Sequence, residues 1–412
     1  MAEAEIIAVG SELLTPEKTD TNSLALTAEL NGMGIEVVRK TIVGDDRERL
    51  AETLRDAVGR CAIVVVTGGL GPTEDDVTRD AAASALGRGL IFSEEVCEAI
   101  RVRFRSYGRK MTEINKRQAY VLQGAEVLPN PRGTAPGQWV DTGPAVVALL
   151  PGPPRELLPL FQEQCIPRIR AKLPARLIRT RVLRATGIGE GDLDATISPV
   201  YTRYRNPVTT ILASNSDIQI HLRAHGETET ETEALLDDVA GQIVPLLGEK
   251  IYSRKGESLE LVIGTALRER HQTLSVAESC TGGLLGGRIT GVPGSSDYFR
   301  GGFLTYAEEA KTELLGVPAD LIAAHTAVSE EVARAMAEGA KRRARTDYAL
   351  SVTGYAGPDG GTKENPVGTV FVGLATPFGT EARRLRLPGE RDRVRNFAVQ
   401  NALNILRLAL GL

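Results

Sequence analysis

Short apolar runs in this chain repeatedly stop at glycine and give way to a charged, helix-patterned segment. "EIIAVG" and "CAIVVVTGG" near the start, and "TLSVAESCTGG" further on, all do this. A run of four to eight apolar residues followed by a helical pattern is the mark of a buried strand feeding a crossover helix. Parallel strands need such crossovers, and the crossovers cover both faces of the sheet. The pattern therefore calls for α/β architecture.

Within residues 1–169, "DTNSLALTAELNGMG" and "DRERLAETLRDAVGR" read as helices between the strands "EIIAVG", "IEVVRKTIVG" and "CAIVVVTGG". "DDVTRDAAASALG" is a further helix with acids in its first turn, and "AVVALLPGPPRELLPLF" is a buried strand entering a proline-fixed turn and a helix. Residues 170–252 break the rhythm. "IRTRVLRATGIGEGDL" reads as strand, turn and helix, "VTTILASNSDIQIHLRAHG" as two strands around a polar turn, and "TETETEALLDDVAGQIVPLLG" as a helix. This is a small α+β unit. In residues 253–412 the strand–helix alternation returns and is expected to run to the end. A chain of 412 residues is too long for one core, in keeping with these three domains.

Apolar content of 42% and charge of 25% are ordinary globular values. A net charge of −4 argues against a protein that holds nucleic acid by bulk charge. Cys61, Cys97, Cys165 and Cys280 are scattered without a CxxC pair, so neither a disulfide framework nor a zinc knuckle is implied. The N-terminal acids are the wrong flank for a signal peptide, and no apolar stretch approaches a membrane span. A cytoplasmic location without a membrane partner is the expectation. His221 and His225 share one side of a strand; a zinc pair is conceivable there, and partly exposed strand histidines are the simpler reading.

The loop "TGGLGPTEDD" sets Gly68, Gly69 and Gly71 between a buried strand and a helix. Glycines let backbone approach a ligand closely, and a helix start favours phosphate. Glu74, Asp75 and Asp76 follow. Acids beside a phosphate make sense with a divalent cation between them, although acids at a helix start also serve the dipole alone. A second polar loop, with Glu12, Lys18, Asp20 and Asn22, lies at the same sheet end. Asp20 or Thr21 also suits the role of helix cap.

"VAESCTGG" offers a second site. Ser279 could act as nucleophile, but no histidine stands in a pattern that pairs with it. Lys311, in "FLTYAEEAKTELLG", is the other candidate base, because burial at a helix start favours the neutral amine. Tyr306 could orient it. The residues alone leave a surface lysine beside Glu308 and Glu309 as the simpler reading. Cys280 is a rival nucleophile at a helix start. Thr281, Gly282 and Gly283 would present backbone N–H groups to an oxyanion or a phosphate. Arg395 and Thr353 could face the same pocket, although Arg395 also suits a solvated helix face, since Arg391 and Arg393 alternate with it. Ser329 reads as a helix N-cap.

"GSELL", "DTN", "TGGLGPTEDDVTRDA" and "LPGPPRE" resemble the molybdopterin-binding-like domain of the competence/damage-inducible CinA family. "VAESCTGGLLGGRIT", "VPGSSDYFRGGFLTYAEEAK" and "SVTGYAGPDGG" are similar to that family's C-terminal domain, and 170–252 to its KH-like linker. The resemblance implies an N-terminal α/β sandwich with metal-dependent ADP-ribose pyrophosphatase activity. Its substrate-binding set would be Glu12, Asp20, Asn22, Gly68, Gly69, Gly71, Thr73, Asp76 and Thr78. Asp75 and Asp76 would hold Mg, Mn or Co.

It also implies a C-terminal nicotinamide mononucleotide deamidase with Ser279 as nucleophile, Lys311 as base and Tyr306 nearby. Thr281, Gly282, Gly283, Thr353 and Arg395 would bind the substrate, with no cofactor. The acidic "GIGEGD" suits a connector and homodimerisation element better than an RNA clamp. Here "TPEKTD" replaces the family's commoner Gly-Glu-Ile, and Tyr355 and Asp359 replace isoleucine and glycine. The alternatives are a binding protein of the DNA-damage response and a molybdopterin-related binding protein.

Overall fold

A computed structural model describes residues 2–172, 177–214 and 216–412. Its contacts separate into two compact units. One holds the N-terminal sheet up to Arg179 together with His225–Glu233; the other holds Thr180–Ala224 and Ala234–Leu412.

The N-terminal sheet is built from β1 (Glu3–Val9), β2 (Glu36–Val43), β3 (Ile63–Thr67), β6 (Glu126–Leu128), β7 (Gly137–Asp141) and β8 (Val146–Leu150). The short β4 (Leu90–Phe92) and β5 (Tyr120–Leu122) pair beside it. The strand order is β2-β1-β3-β8-β7-β6. β2, β1, β3 and β8 run parallel, as the strand–helix alternation requires. β7 and β6 are antiparallel, which the alternation did not anticipate. The cause is local. Gly143, at φ 91°, and the Thr142 N–H to Ala145 carbonyl bond of 2.9 Å close a tight turn between β7 and β8. So short a connection permits only antiparallel pairing. All five β3 residues are buried. Val64 and Val66 enter one apolar core and Ile63 and Val65 the other, so both faces of the sheet are covered.

The middle sheet has the order β10-β11-β9-β12, from β9 (Leu177–Thr186), β10 (Val208–Ser214), β11 (Asp217–Gly226) and β12 (Ile251–Ser253). Helices Glu190–Tyr201 and Glu229–Leu247 complete the α+β unit. Asn215, in the expected turn between β10 and β11, lies outside the described residues. Along β11 every second residue is buried, Ile218, Ile220, Leu222 and Ala224 among them. His221 and His225 therefore share the opposite face, as a two-residue period demands.

The C-terminal sheet has the order β14-β13-β15-β16-β17, from β13 (Leu274–Glu278), β14 (Phe299–Leu304), β15 (Tyr348–Gly354), β16 (Thr369–Thr376) and β17 (Gly379–Arg386). β14, β13 and β15 are parallel; β16 and β17 are antiparallel. The expected alternation therefore stops at β15. No helix lies between β15 and β16, and β16 turns straight into β17. Helices Leu259–Glu269 and Arg391–Ala409 contribute Ile263, Leu267, Ala398 and Leu403 to the core on one face. Helix Glu330–Ala344 supplies Val332, Met336 and Ala340 on the other.

The middle and C-terminal sheets are tied by polar bonds. Gln400 Nε2 donates to Thr186 Oγ1 at 3.2 Å, and the buried Arg407 donates to the Glu249 carbonyl at 2.8 Å. Among the described residues no helix is long and apolar enough to cross a membrane.

Candidate active sites

β13 delivers Ser279 to the end of the C-terminal sheet, where its amide donates to the Val352 carbonyl of β15 at 2.9 Å. β14 ends beside it, and the helix Glu308–Leu315 that follows turns Lys311 inward. Lys311 is 1% exposed. Its Nζ lies 3.4 Å from Ser279 Oγ and 2.8 Å from the Thr305 carbonyl. Burial pushes the amine below its ordinary 10.5, against the opposing charges of Glu308 and Glu309. A neutral amine this close to a hydroxyl can take its proton.

Cys280 is buried, and loss of water pushes its thiol up to about 12. The thiolate that a cysteine nucleophile needs is disfavoured there. The rival nucleophile loses its physical basis, and Ser279 keeps its own.

The loop after Ser279 is shaped by a group the sequence reading passed over. Glu278, the last residue of β13, is 1% exposed. Its carboxylate accepts from the amides of Gly283 (3.0 Å), Leu285 (3.0 Å) and Gly286 (2.8 Å). Gly282, at φ 58°, and Gly283, at φ 96°, take the left-handed backbone that this turn requires. The Gly282 amide bonds the Ser279 carbonyl at 3.1 Å. The glycine amides expected to serve an oxyanion are thus engaged within the loop. The Thr281 amide and its buried hydroxyl find no partner among the described residues.

The remaining expected residues fall at differing depths. Thr353 is buried and donates to the Ala327 carbonyl at 2.8 Å, so its hydroxyl holds two segments together. Arg395 reaches the loop, where Nε and Nη2 donate to the carbonyls of Cys280 (3.2 Å) and Thr281 (2.9 Å). Tyr306 is 66% exposed and accepts from Arg391 at 3.1 Å. Lys311 is oriented by the Thr305 carbonyl, where the sequence suggested Tyr306. Ser329 caps its helix, accepting from the Val332 amide at 3.3 Å.

In the N-terminal sheet, β3 ends at Thr67 and the glycine loop follows. A side chain at Gly68 would stand 2.3 Å from the Val9 carbonyl oxygen, and one at Gly69 would stand 2.3 Å from Thr78 Oγ1. Glycine is therefore obligatory at both. Asp76 braces the loop: Oδ1 accepts from the Gly71 amide at 2.7 Å, and Oδ2 from the Thr73 amide and hydroxyl at 2.8 and 2.5 Å. Thr78 donates to the Gly68 carbonyl at 2.8 Å. Arg79, which sequence reasoning missed, is 4% exposed and donates to the carbonyls of Leu70 (2.6 Å) and Gly71 (2.7 Å). Glu74 pairs with Arg117.

These contacts frame a cleft of about 410 Å³. Its lining includes Glu12, Asp45, Asp75, Asp76 and Glu156 and contains no lysine or arginine. Asp45 accepts from the Ser11 amide, and Glu156 from Asn130. The carboxylates of Glu12 and Asp75 have no partner among the described residues. A second cavity shares Val9, Glu12, Gly68 and Gly152 with the first and adds Lys18, Asp20 and Asn22. Asp20 accepts from the Ser23 amide at 3.0 Å, as a helix cap would. Asn22 Nδ2 donates to the Gly152 carbonyl at 2.7 Å, which leaves its buried Oδ1 unpartnered. No three His, Cys, Asp or Glu side chains converge on one point among the described residues. The donor set still fits a hard divalent ion that keeps several waters, since such an ion asks for one or two protein carboxylates and phosphate oxygens.

The sequence matches three family profiles in order along the chain. They are the probable molybdopterin binding domain over 5–171, the damage-inducible protein CinA KH domain over 180–253, and the CinA C-terminal domain over 256–410. A CinA-like protein of Solibacter usitatus is 56% identical over 405 residues, covering 98% of this chain and 97% of that one. A CinA-like protein of Koribacter versatilis is 45% identical over 411 residues, covering 99% of each. The crystal structure of a competence/damage inducible protein from Agrobacterium tumefaciens is 38% identical, with a TM-score of 0.36. It covers 37% of this chain and 94% of that one. With the Solibacter and Koribacter proteins 56% and 45% identical over nearly its whole length, this chain belongs to the CinA family.

Proposed function

We propose that the C-terminal domain is a serine–lysine amidohydrolase that converts nicotinamide mononucleotide to nicotinate mononucleotide and ammonia. One observation carries the reading: Ser279 Oγ and Lys311 Nζ lie 3.4 Å apart where burial favours the neutral amine. Lys311 takes the Ser279 proton as Oγ attacks the carboxamide carbon. The protonated lysine then returns a proton to the departing nitrogen, and ammonia leaves an acyl-serine ester. Water adds to that ester, with Lys311 again as base, and releases the carboxylate and free Ser279. The unpartnered Thr281 amide is the group best suited to the developing oxyanion.

The N-terminal domain, on this proposal, hydrolyses the pyrophosphate of ADP-ribose. The support is a cleft walled by carboxylates and lacking cations, which repels a pyrophosphate unless a divalent ion accompanies it. Glu12 and Asp75 would hold that ion, whose charge would neutralise the pyrophosphate and polarise its bridge. Asp76 and Arg79 keep the glycine loop open for the phosphates by engaging its amides and carbonyls. Both reactions act on fragments of one dinucleotide, which gives the fusion a chemical rationale.

Ammonia release from nicotinamide mononucleotide tests the C-terminal reading. Wild type and Cys280→Ala should release ammonia at comparable rates. Ser279→Ala and Lys311→Ala should fall at least about a hundredfold. A silent wild type, or loss confined to Cys280→Ala, would overturn the mechanism.

A further inference from the structure

The last helix, Arg391–Ala409, carries Arg391, Arg393 and Arg395 in its first turns, and each has a different commitment. Arg393 stacks on Phe397, its guanidinium carbon 5.0 Å from the ring centre. Arg395 is fastened to the carbonyls of Cys280 and Thr281, with Asp392 3.5 Å from its Nη1. Arg391 is held only by neutral acceptors: the Gly357 carbonyl at 2.7 Å and the Tyr306 hydroxyl at 3.1 Å. No carboxylate lies within ion-pair distance of it among the described residues. Arg391 and Arg395 are four residues apart and so share one helix face.

Arg391 therefore links the loop after β14 to the loop after β15, the two strands that flank β13. Tyr306 adjoins Thr305, whose carbonyl holds Lys311, and Gly357 lies three residues beyond the end of β15. Its charge is felt at the nucleophile loop, since both Arg391 and Arg395 act to lower the Cys280 thiol's pKa against the larger effect of burial. An exposed cation without a counter-ion, bonded to a phenol and a carbonyl, can exchange weak neutral acceptors for an anion's oxygens.

We infer that Arg391, and not Arg395, receives the anionic phosphate tail of the substrate whose carboxamide lies at Ser279. The inference rests on the amidohydrolase reading for the identity of the substrate, and on the Arg391 contacts for the residue. Tyr306 holds the guanidinium in place until the phosphate arrives and is displaced by it. Arg395 is a positioning residue, because its donors are spent on the loop that shapes the nucleophile.

Binding separates the residue assignment from catalysis. In a Ser279→Ala background, calorimetry would compare nicotinamide mononucleotide with nicotinamide riboside, which lacks only the phosphate. Adding Arg391→Gln should weaken the mononucleotide at least about tenfold and change the riboside less than about twofold, since a charge-assisted phosphate contact is lost. Arg391→Lys should recover part of the loss. Tyr306→Phe should bind the mononucleotide as tightly as its parent or more tightly. Equal mononucleotide affinity with and without Arg391, or equal losses for both ligands, would overturn the inference. So would the absence of mononucleotide binding in the Ser279→Ala parent. Phosphate-selective binding in a protein whose wild type releases no ammonia would keep Arg391 as the anion reader and sink the amidohydrolase reading.

Discussion

Lys311 is the residue on which the proposed C-terminal chemistry turns, and its burial has two consequences of known sign. Its folded pKa lies below 10.5 because water is withheld from the ammonium. If the neutral amine is the base, ammonia release should climb with pH and level off below 10.5. A pH–rate profile still rising at 10.5 would remove Lys311 from that role. Unfolding restores an ordinary lysine, which keeps its proton up to that value. Between the lowered folded pKa and 10.5 the unfolded chain binds more protons, so this group's destabilising effect fades as pH rises through that window. Lys311→Met should therefore be more stable than wild type near neutrality and lose that advantage toward 10.5. Urea midpoints of the two proteins across that range provide the check.

At the scale of elements, each site depends on a strand-end loop fastened by a carboxylate. Glu278 gathers three amides after β13, and Asp76 gathers two amides and a hydroxyl after β3. Glu278→Ala would leave buried amides without an acceptor, a cost of about 3 kcal/mol. Denaturation should show that loss, and Glu278→Gln should recover part of it because an amide oxygen can replace some of the contacts. A Glu278→Ala protein that unfolds with wild type would mean that water replaces the carboxylate. Both glycine loops were legible as candidate sites, because glycines between a strand end and a helix start let backbone approach a ligand closely. The fasteners were not legible. Glu278 and Arg79 look like ordinary charges in the sequence, and only the fold shows them buried against the amides and carbonyls of their loops.

At the scale of the molecule, the two candidate sites lie in separate compact units. Gly69→Ala adds a Cβ in left-handed backbone, 2.3 Å from Thr78 Oγ1. It should abolish metal-dependent ADP-ribose hydrolysis and leave ammonia release within about twofold of wild type. Ser279→Ala should do the reverse. Loss of both activities in either variant would show that the units are energetically coupled. The α/β class and the three-part organisation were readable from the strand–helix alternation and its interruption after residue 169. The antiparallel strands β6, β7, β16 and β17 were not, because an apolar run reads alike whichever way its neighbour runs, and the connections that reverse the chain carry no apolar period of their own.

The sequence by itself determined the class of fold and the two glycine loops at strand ends, and it left the partner of Ser279 open, with Lys311 favoured only through the family resemblance. Fold class and loops are local properties of period, punctuation and side-chain chemistry. Only the tertiary structure decided that Lys311 is buried within 3.4 Å of Ser279. It likewise decided that the Cys280 thiol is withheld, that Asp76 and Arg395 spend their polar atoms on the loops, and that Arg391 has no carboxylate partner among the described residues. Those are properties of neighbours far apart along the chain, whose distance and exposure to water set charge, reactivity and the order of hydrogen bonds.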